Sequence, residues 1–170
     1  MRAQQEAEIV ACIPSLRRYA RGLTADRERA DDLVQDTLER AWGKFSMWQK
    51  RGAVRAWMFG IMHNLFVDRL RAQRSTPEDS AVEVMPEAPQ RATQSDRLEI
   101  ADLDRALQRL PAEQREVVLL VAVEELTYRE VAAAIGVPIG TVMSRLSRAR
   151  ERLRGELEGR SVSAKIQRVK

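Results

Sequence analysis

Four polar side chains share one face of a predicted helix near the N-terminus. They recur at the spacing i, i+3, i+4 and i+7 and are Asp32, Gln35, Asp36 and Glu39. Carboxylates at this density could bind Mg²⁺, could solvate and cap the helix, or could dock on a basic protein partner. Because no nucleophile–base pair and no Cys/His cluster accompanies them, the pattern indicates a surface. We expect no catalytic residue, no metal site and no cofactor.

A second pattern, towards the C-terminus, is typical of a helix-turn-helix. Thr127 and Glu130 fit a capping box, Gly136 suits the turn, and Thr141 is predicted to cap the second helix. That helix has an apolar stripe and an opposite polar side, which carries Met143, Ser144, Ser147, Arg148 and Glu151, flanked by Arg145, Arg150, Arg152 and Arg154. Small residues admit a helix to the major groove, donors contact base edges and arginines hold phosphates. An ordinary helical hairpin with a solvated basic face is the alternative.

Aromatic and cationic residues alternate in the region between these two patterns. The aromatic residues Trp48, Trp57, Phe59 and Phe66 lie, with Asn64, among Lys50, Arg51, Arg55, Arg69, Arg71 and Arg74. Proteins that bind single-stranded DNA combine stacking aromatics with cations in this way. Alternatively Trp57 and the two phenylalanines belong to the core, which leaves Trp48 as the better candidate for stacking on a base.

Composition indicates an all-α chain. Of 170 residues, 44% are hydrophobic but only 5% aromatic, and the chain has 8 glycines and 6 prolines. The single cysteine, Cys12, and the single histidine, His63, exclude a disulfide framework and a Cys/His zinc site. The longest apolar run, residues 117–123, is too short to span a membrane, and the N-terminus is polar. We expect a cytoplasmic protein with no membrane insertion.

Helical periodicity predicts the helices that position these side chains. Pro14 is expected to open a first helix, Asp26 to cap a second over 27–44, and a third is expected over 54–74. Residues 117–123 could form a buried strand or a buried helix, and their helical neighbours favour the helix.

Charge and proline content divide the chain into two units. Residues 76–97 carry 5 acidic against 2 basic side chains and three of the six prolines, which predicts a flexible acidic linker. Residues 141–170 carry 9 basic against 3 acidic side chains, which suits a nucleic-acid partner. The predicted organisation is therefore a helical domain over 1–75, a linker over 76–97, a helix-turn-helix domain over 98–158 and a basic tail over 159–170.

Three motifs in this order resemble the bacterial extracytoplasmic-function (ECF) sigma factors, the smallest sigma-70-type subunits of RNA polymerase. The segment DDLVQDTLERAW at 31–42 resembles their core-binding motif, and residues 56–71 resemble their promoter-melting helix. The stretch from residues 110–116 through residues 140–150 resembles their region four. Two positions depart from the pattern: Met143 stands where members often have a basic residue, and His63 where they have a basic or small one.

The resemblance implies partners for each motif. The face of Asp32, Gln35, Asp36 and Glu39 would dock on the coiled coil of the largest polymerase subunit, and the flap would be a further polymerase contact. The melted non-template strand of the minus-ten element would be held by Trp48, Lys50, Arg51, Arg55, Asn64 and Arg71. The duplex minus-thirty-five element would be held by Thr141, Ser144, Arg145, Ser147, Arg148 and Arg150. An anti-sigma factor would regulate the chain.

Three other functions remain open from the sequence. A stand-alone helix-turn-helix regulator would use residues 1–75 for dimerisation or effector binding. A sigma mimic would sequester an anti-sigma factor without starting transcription. A nucleic-acid enzyme would need a catalytic constellation that the sequence does not contain.

Overall fold

The computed structural model describes residues 2–45, 53–75 and 94–167, with side chains over 6–45, 53–75 and 99–159, and shows helices joined by turns. The first domain consists of α1 (Arg2–Thr24), α2 (Arg27–Lys44) and α3 (Val54–Ser75). The second consists of α4 (Gln94–Gln108), α5 (Ala112–Val118), a π-helical segment (Leu119–Val123), α6 (Tyr128–Ile135) and α7 (Ile139–Gln167). The all-α, two-domain prediction is confirmed.

The helix caps follow the sequence signals, with two exceptions. The side chain of Asp26 accepts a hydrogen bond from the backbone N–H of Arg29, so it caps α2 as predicted. Pro14, in contrast, lies inside α1 and does not open it. Ile9 and Cys12 are buried on the same side as Leu16, and their burial offsets the single backbone hydrogen bond that proline removes.

The second exception is Thr141, which does not cap α7. The helix begins two residues earlier, at Ile139, and the backbone N–H of Thr141 donates to the carbonyl of Pro138 at 2.9 Å. Proline directly before a helix has a fixed φ that suits its entry, so the first turn closes on Pro138.

The apolar segment 117–123 is helical, as its neighbours predicted. It completes α5 and then widens into the π-helical segment, where the N–H of Glu124 donates to the carbonyl of Leu119 at 3.0 Å. Single π-helical turns often occur at functional positions. This one ends directly before Glu124, whose carboxylate is fully buried between the two domains.

Helices of both domains contribute to one hydrophobic core. Helix α3 packs on α6, and α1 packs on α4, α5 and the π-helical segment. A Cβ at Gly60 of α3 would lie 3.0 Å from the carbonyl oxygen of Ala134 in α6, so glycine permits the close approach of these two helices.

The structure describes only parts of the predicted linker and of the predicted basic tail. Helix α4 begins at Gln94, inside the range 76–97, while 76–93 lie outside the described residues. Helix α7 continues to Gln167, so the predicted basic tail is helical over its described part. Among the described helices, none is long and apolar enough to cross a membrane.

Candidate nucleic-acid interface

The acidic face of α2 is exposed along its length. All four predicted docking residues are exposed, and the Gln35 amide donates to Glu39 at 3.1 Å. The carboxylate of Asp36 accepts a hydrogen bond from Arg69 of α3 at 2.5 Å, and both side chains are partly exposed. The surface is therefore held in place by neighbours within its own domain and remains open to a partner.

One residue of this face was missed by the sequence reasoning. The hydrophobic side chain of Trp42 would suit the core, but half of its surface (50%) is exposed, whereas the neighbouring Ala41 is buried. At 100° per residue Trp42 lies only 20° from Gln35 on the helix, so the indole borders the acidic side chains. Half-exposed tryptophan beside polar groups is typical of a protein contact surface.

The residues expected to hold the melted strand are only partly brought together. Asn64 and Arg71 are exposed and share one side of α3, because seven residues make almost two full turns. Arg55 lies on the opposite side, nine residues before Asn64, and donates to Glu124 of the second domain at 2.7 Å. Trp48, Lys50 and Arg51 lie outside the described residues.

Two of the aromatic side chains assigned to single-strand binding are core residues instead. Phe59 is fully buried and contacts the Tyr19 ring edge-on, with ring centroids 5.1 Å apart, and Phe66 is also buried. Trp57 is partly buried and packs against Phe45. The apolar stripe of α3 therefore explains these aromatics, as the alternative reading proposed.

The capping box of the helix-turn-helix is present in full. The carboxylate of Glu130 accepts from the backbone N–H and the hydroxyl of Thr127, both at 2.8 Å, and the Glu130 N–H donates to that hydroxyl. These hydrogen bonds lower the pKa of Glu130 below its ordinary value. Gly136 ends α6 with φ 68°, a left-handed conformation that glycine adopts freely.

The exposed side of α7 carries most of the predicted duplex contacts. Ser144, Ser147, Arg148 and Arg150 are exposed, and the Ser144 hydroxyl donates to the carbonyl of Thr141 at 3.1 Å. Thr141 is half-buried. Arg145 is also partly buried, lies 3.5 Å from Glu113, and lines a cleft of about 200 Å³ with His63, Phe66 and Leu70 of α3. Arg145 therefore faces the first domain.

Two buried carboxylates of the second domain bind side chains of the first. Glu124 accepts from Arg18 through both carboxylate oxygens, at 3.2 and 3.0 Å, in addition to Arg55. Glu116 accepts from the Tyr19 hydroxyl at 2.6 Å, and His63 Nδ1 lies 2.7 Å from the same oxygen. No sequence pattern indicates these contacts, because the partners are between 53 and 106 residues apart in the chain.

Within the described part of the chain, no group of three or more Cys, His, Asp or Glu side chains is placed to hold a metal ion. The acidic face of α2 is spread along the helix rather than converging on a point. The described geometry of this face therefore does not favour a metal site.

Comparison with known proteins identifies the family. The profile of the Sigma2 domain of PhyR matches residues 9–63, and that of sigma-70 region 4 matches residues 100–153. The ECF RNA polymerase sigma factor EcfG of Rhodopseudomonas palustris (strain TIE-1) is 38% identical over 146 residues, which cover 86% of this chain and 81% of that protein. The chain belongs to the ECF sigma factors of bacterial RNA polymerase.

Further relatives support the same assignment. The RNA polymerase sigma-E factor of Streptomyces coelicolor is 34% identical over 89% of this chain and 84% of its own. The solved sigma factor RpoE of Bartonella quintana, in complex with the anti-sigma factor NepR, superposes with a TM-score of 0.76 at 34% identity and covers 90% of this chain and 96% of its own. CnrH, in complex with the cytosolic domain of CnrY, superposes at 0.70 with 26% identity and covers 94% and 90% of the two chains.

Proposed function

We propose that this chain is a dissociable initiation factor that recruits core RNA polymerase to one class of promoter and nucleates strand separation there. The observation that carries the proposal is the presence, in one chain, of an exposed acidic face on α2 and an exposed Ser144, Ser147 and Arg148 surface on a helix-turn-helix. One surface suits a protein partner and the other suits the major groove.

Melting is assigned to α3 and the residues that precede it. Asn64 and Arg71 present polar groups on one exposed side of the helix, where a displaced strand could be held. Unstacking a base costs a few kcal/mol, which a preformed set of contacts can offset at one position. Trp48, Lys50, Arg51 and Arg55 complete the proposed strand-binding set. The polymerase performs the polymerisation chemistry.

Regulation by an anti-sigma factor is part of the proposal. Two of the similar solved structures, RpoE and CnrH, are complexes with the anti-sigma protein NepR and the cytosolic domain of CnrY, respectively. We infer that a comparable partner binds this chain and competes with core polymerase.

The second candidate function is a sigma mimic that binds an anti-sigma factor without starting transcription. The match of residues 9–63 to the Sigma2 domain of PhyR favours it, since PhyR is described as an anti-anti-sigma factor. The two candidates differ in whether the chain directs RNA synthesis.

Reconstituted transcription separates them. Core polymerase is mixed with the full chain and with duplex genomic fragments, and RNA start sites are mapped against core polymerase alone. We expect chain-dependent starts that share upstream sequences. If no duplex template yields a chain-dependent transcript, the initiation factor is excluded and the mimic is favoured.

A further inference from the structure

Two large apolar side chains are exposed at the start of α7. Ile139 is 45% and Met143 is 49% exposed, whereas Val142 and Leu146 of the same helix are buried. The two exposed residues are one helical turn apart and therefore neighbours on the surface. Residues 139–144 contain no charged side chain, so this end of the helix offers apolar and hydroxyl groups instead of cations.

The position of these side chains on the helix-turn-helix suggests what they contact. The N-terminal residues of a recognition helix lie against base edges in the major groove. Met143 lies about 40° from Ser147 on the helix, on the side away from Arg148. The thymine C5-methyl is the apolar group that base pairs present in the major groove. Arg150 lies only about 20° from Met143 on the helix, and together with Arg148 it supplies the charge that attracts a duplex to α7.

We propose that Met143, with Ile139 beside it, determines promoter specificity by packing on the C5-methyl group of a thymine in the upstream promoter element. The inference rests on the proposed function and extends it, because it names the kind of base that this helix selects. A basic residue at position 143 would instead donate to a purine, so the apolar side chain changes the preferred sequence.

Uracil substitution tests the contact directly, because it removes only the methyl group. The probe is a promoter fragment found by start-site mapping, in which each upstream thymine of either strand is replaced singly by deoxyuridine. Binding of the reconstituted holoenzyme is measured for the native chain, for Met143→Ala, and for Leu157→Ala as a control at an exposed apolar residue of the same helix.

We expect one or two uracil positions to weaken binding about three- to fivefold, the effect of burying one methyl group. Met143→Ala should bind thymine and uracil templates equally, while Leu157→Ala should keep the native difference. An upstream element without an effective thymine, or an equal uracil effect in Met143→Ala, overturns the inference alone. A holoenzyme that starts transcription nowhere overturns the proposed function and this inference together.

Discussion

The hydroxyl of Tyr19 donates a 2.6 Å hydrogen bond to Glu116, and the two residues belong to different domains. Both side chains are buried, so the carboxylate depends on this donor and on His63 for compensation of lost hydration. Burial and the nearby Glu116 carboxylate raise the pKa of Tyr19 well above its ordinary value. Tyr19 therefore remains a neutral donor across the domain interface.

Tyr19→Phe should lower the free energy of unfolding by about 1.5–3 kcal/mol, the range for a hydrogen bond to a charged group. The substitution keeps the ring that contacts Phe59 and deletes only the hydroxyl. Urea unfolding followed by circular dichroism measures the change. Tyr128→Phe, at a partly buried tyrosine of α6, is the matched control. Equal stability of Tyr19→Phe and the native chain would contradict the importance of this bond.

The raised pKa of Tyr19 also predicts a loss of stability in alkali. The folded tyrosine keeps its proton, whereas the tyrosine of the unfolded chain ionises near its ordinary pKa. The contribution of Tyr19 to the stability of the fold is therefore complete below about pH 10 and falls as pH rises towards the pKa of the folded state. The native chain should lose stability above that pH more steeply than Tyr19→Phe. Urea unfolding of both proteins between neutral pH and about pH 11 gives the two slopes. Parallel slopes would show that Tyr19 does not cause the loss.

Local signals in the sequence predicted most helix positions, because caps and turns depend on neighbouring residues. Asp26, the capping box of Thr127 and the turn at Gly136 all lie within four residues of the groups that they satisfy. The prediction that Pro14 opens the first helix was wrong, because the burial of Ile9 and Cys12 stabilises the part of α1 that precedes the proline. Local propensity could not include that packing, which depends on other helices.

The interdomain site could not be predicted from the sequence for the same reason. Glu116 and Glu124 flank an apolar run, where acidic residues would ordinarily mark the solvated side or end of a helix. Their partners Arg18, Tyr19 and His63 are distant in the chain, and no local pattern connects them. The exposure of Trp42 could not be predicted from its hydrophobicity, which favours the core, although its angular position on α2 places it beside Gln35.

Thr127→Ala should destabilise the second domain by about 1 kcal/mol, the usual cost of removing an N-cap hydroxyl. Thr141→Ala should cost less, because α7 begins at Ile139 and Thr141 is not its cap. Thermal or urea unfolding compares the two variants. A larger loss in Thr141→Ala would contradict the helix boundary given by the structure.

The same cap predicts a dependence on acid. The lowered pKa of Glu130 means that its stabilising effect is complete above its ordinary pKa, near 4.5, and is lost as pH falls through the lower folded pKa. Thr127→Ala keeps the backbone donor to Glu130 but loses the hydroxyl donor. The stability of this variant should therefore fall less at low pH than the stability of the native chain. Unfolding measured from pH 6 to about pH 3 tests this, and an unchanged acid dependence would contradict the cause assigned to the pKa shift.

Asp36→Arg combined with Glu39→Arg should abolish association with core polymerase, because two cations replace the centre of the acidic face. Co-elution of the chain with core polymerase measures association. Glu99→Arg with Glu158→Arg changes the net charge equally at exposed sites outside α2 and should leave association intact. The Asp36–Arg69 pair is partly exposed and contributes at most about 1 kcal/mol, so folding should survive its loss. Retained co-elution of the first variant would remove the docking assignment.

Arg148→Ala and Arg150→Ala should weaken promoter binding in different ways, although both residues are exposed on α7. Arg148 lies on the side of Ser144 and is expected to contact a base edge, so its loss should cost about 1–3 kcal/mol on the native upstream element and less on altered ones. Arg150 is expected to contact phosphate, so its loss should weaken all sequences similarly and reduce the salt slope by about one unit. Holoenzyme binding to promoter variants across a salt series measures both effects. Sequence dependence and salt dependence are separate quantities, so the two variants should differ in both. If both variants show the same sequence dependence and the same salt slope, the recognition face is assigned to the wrong side of α7.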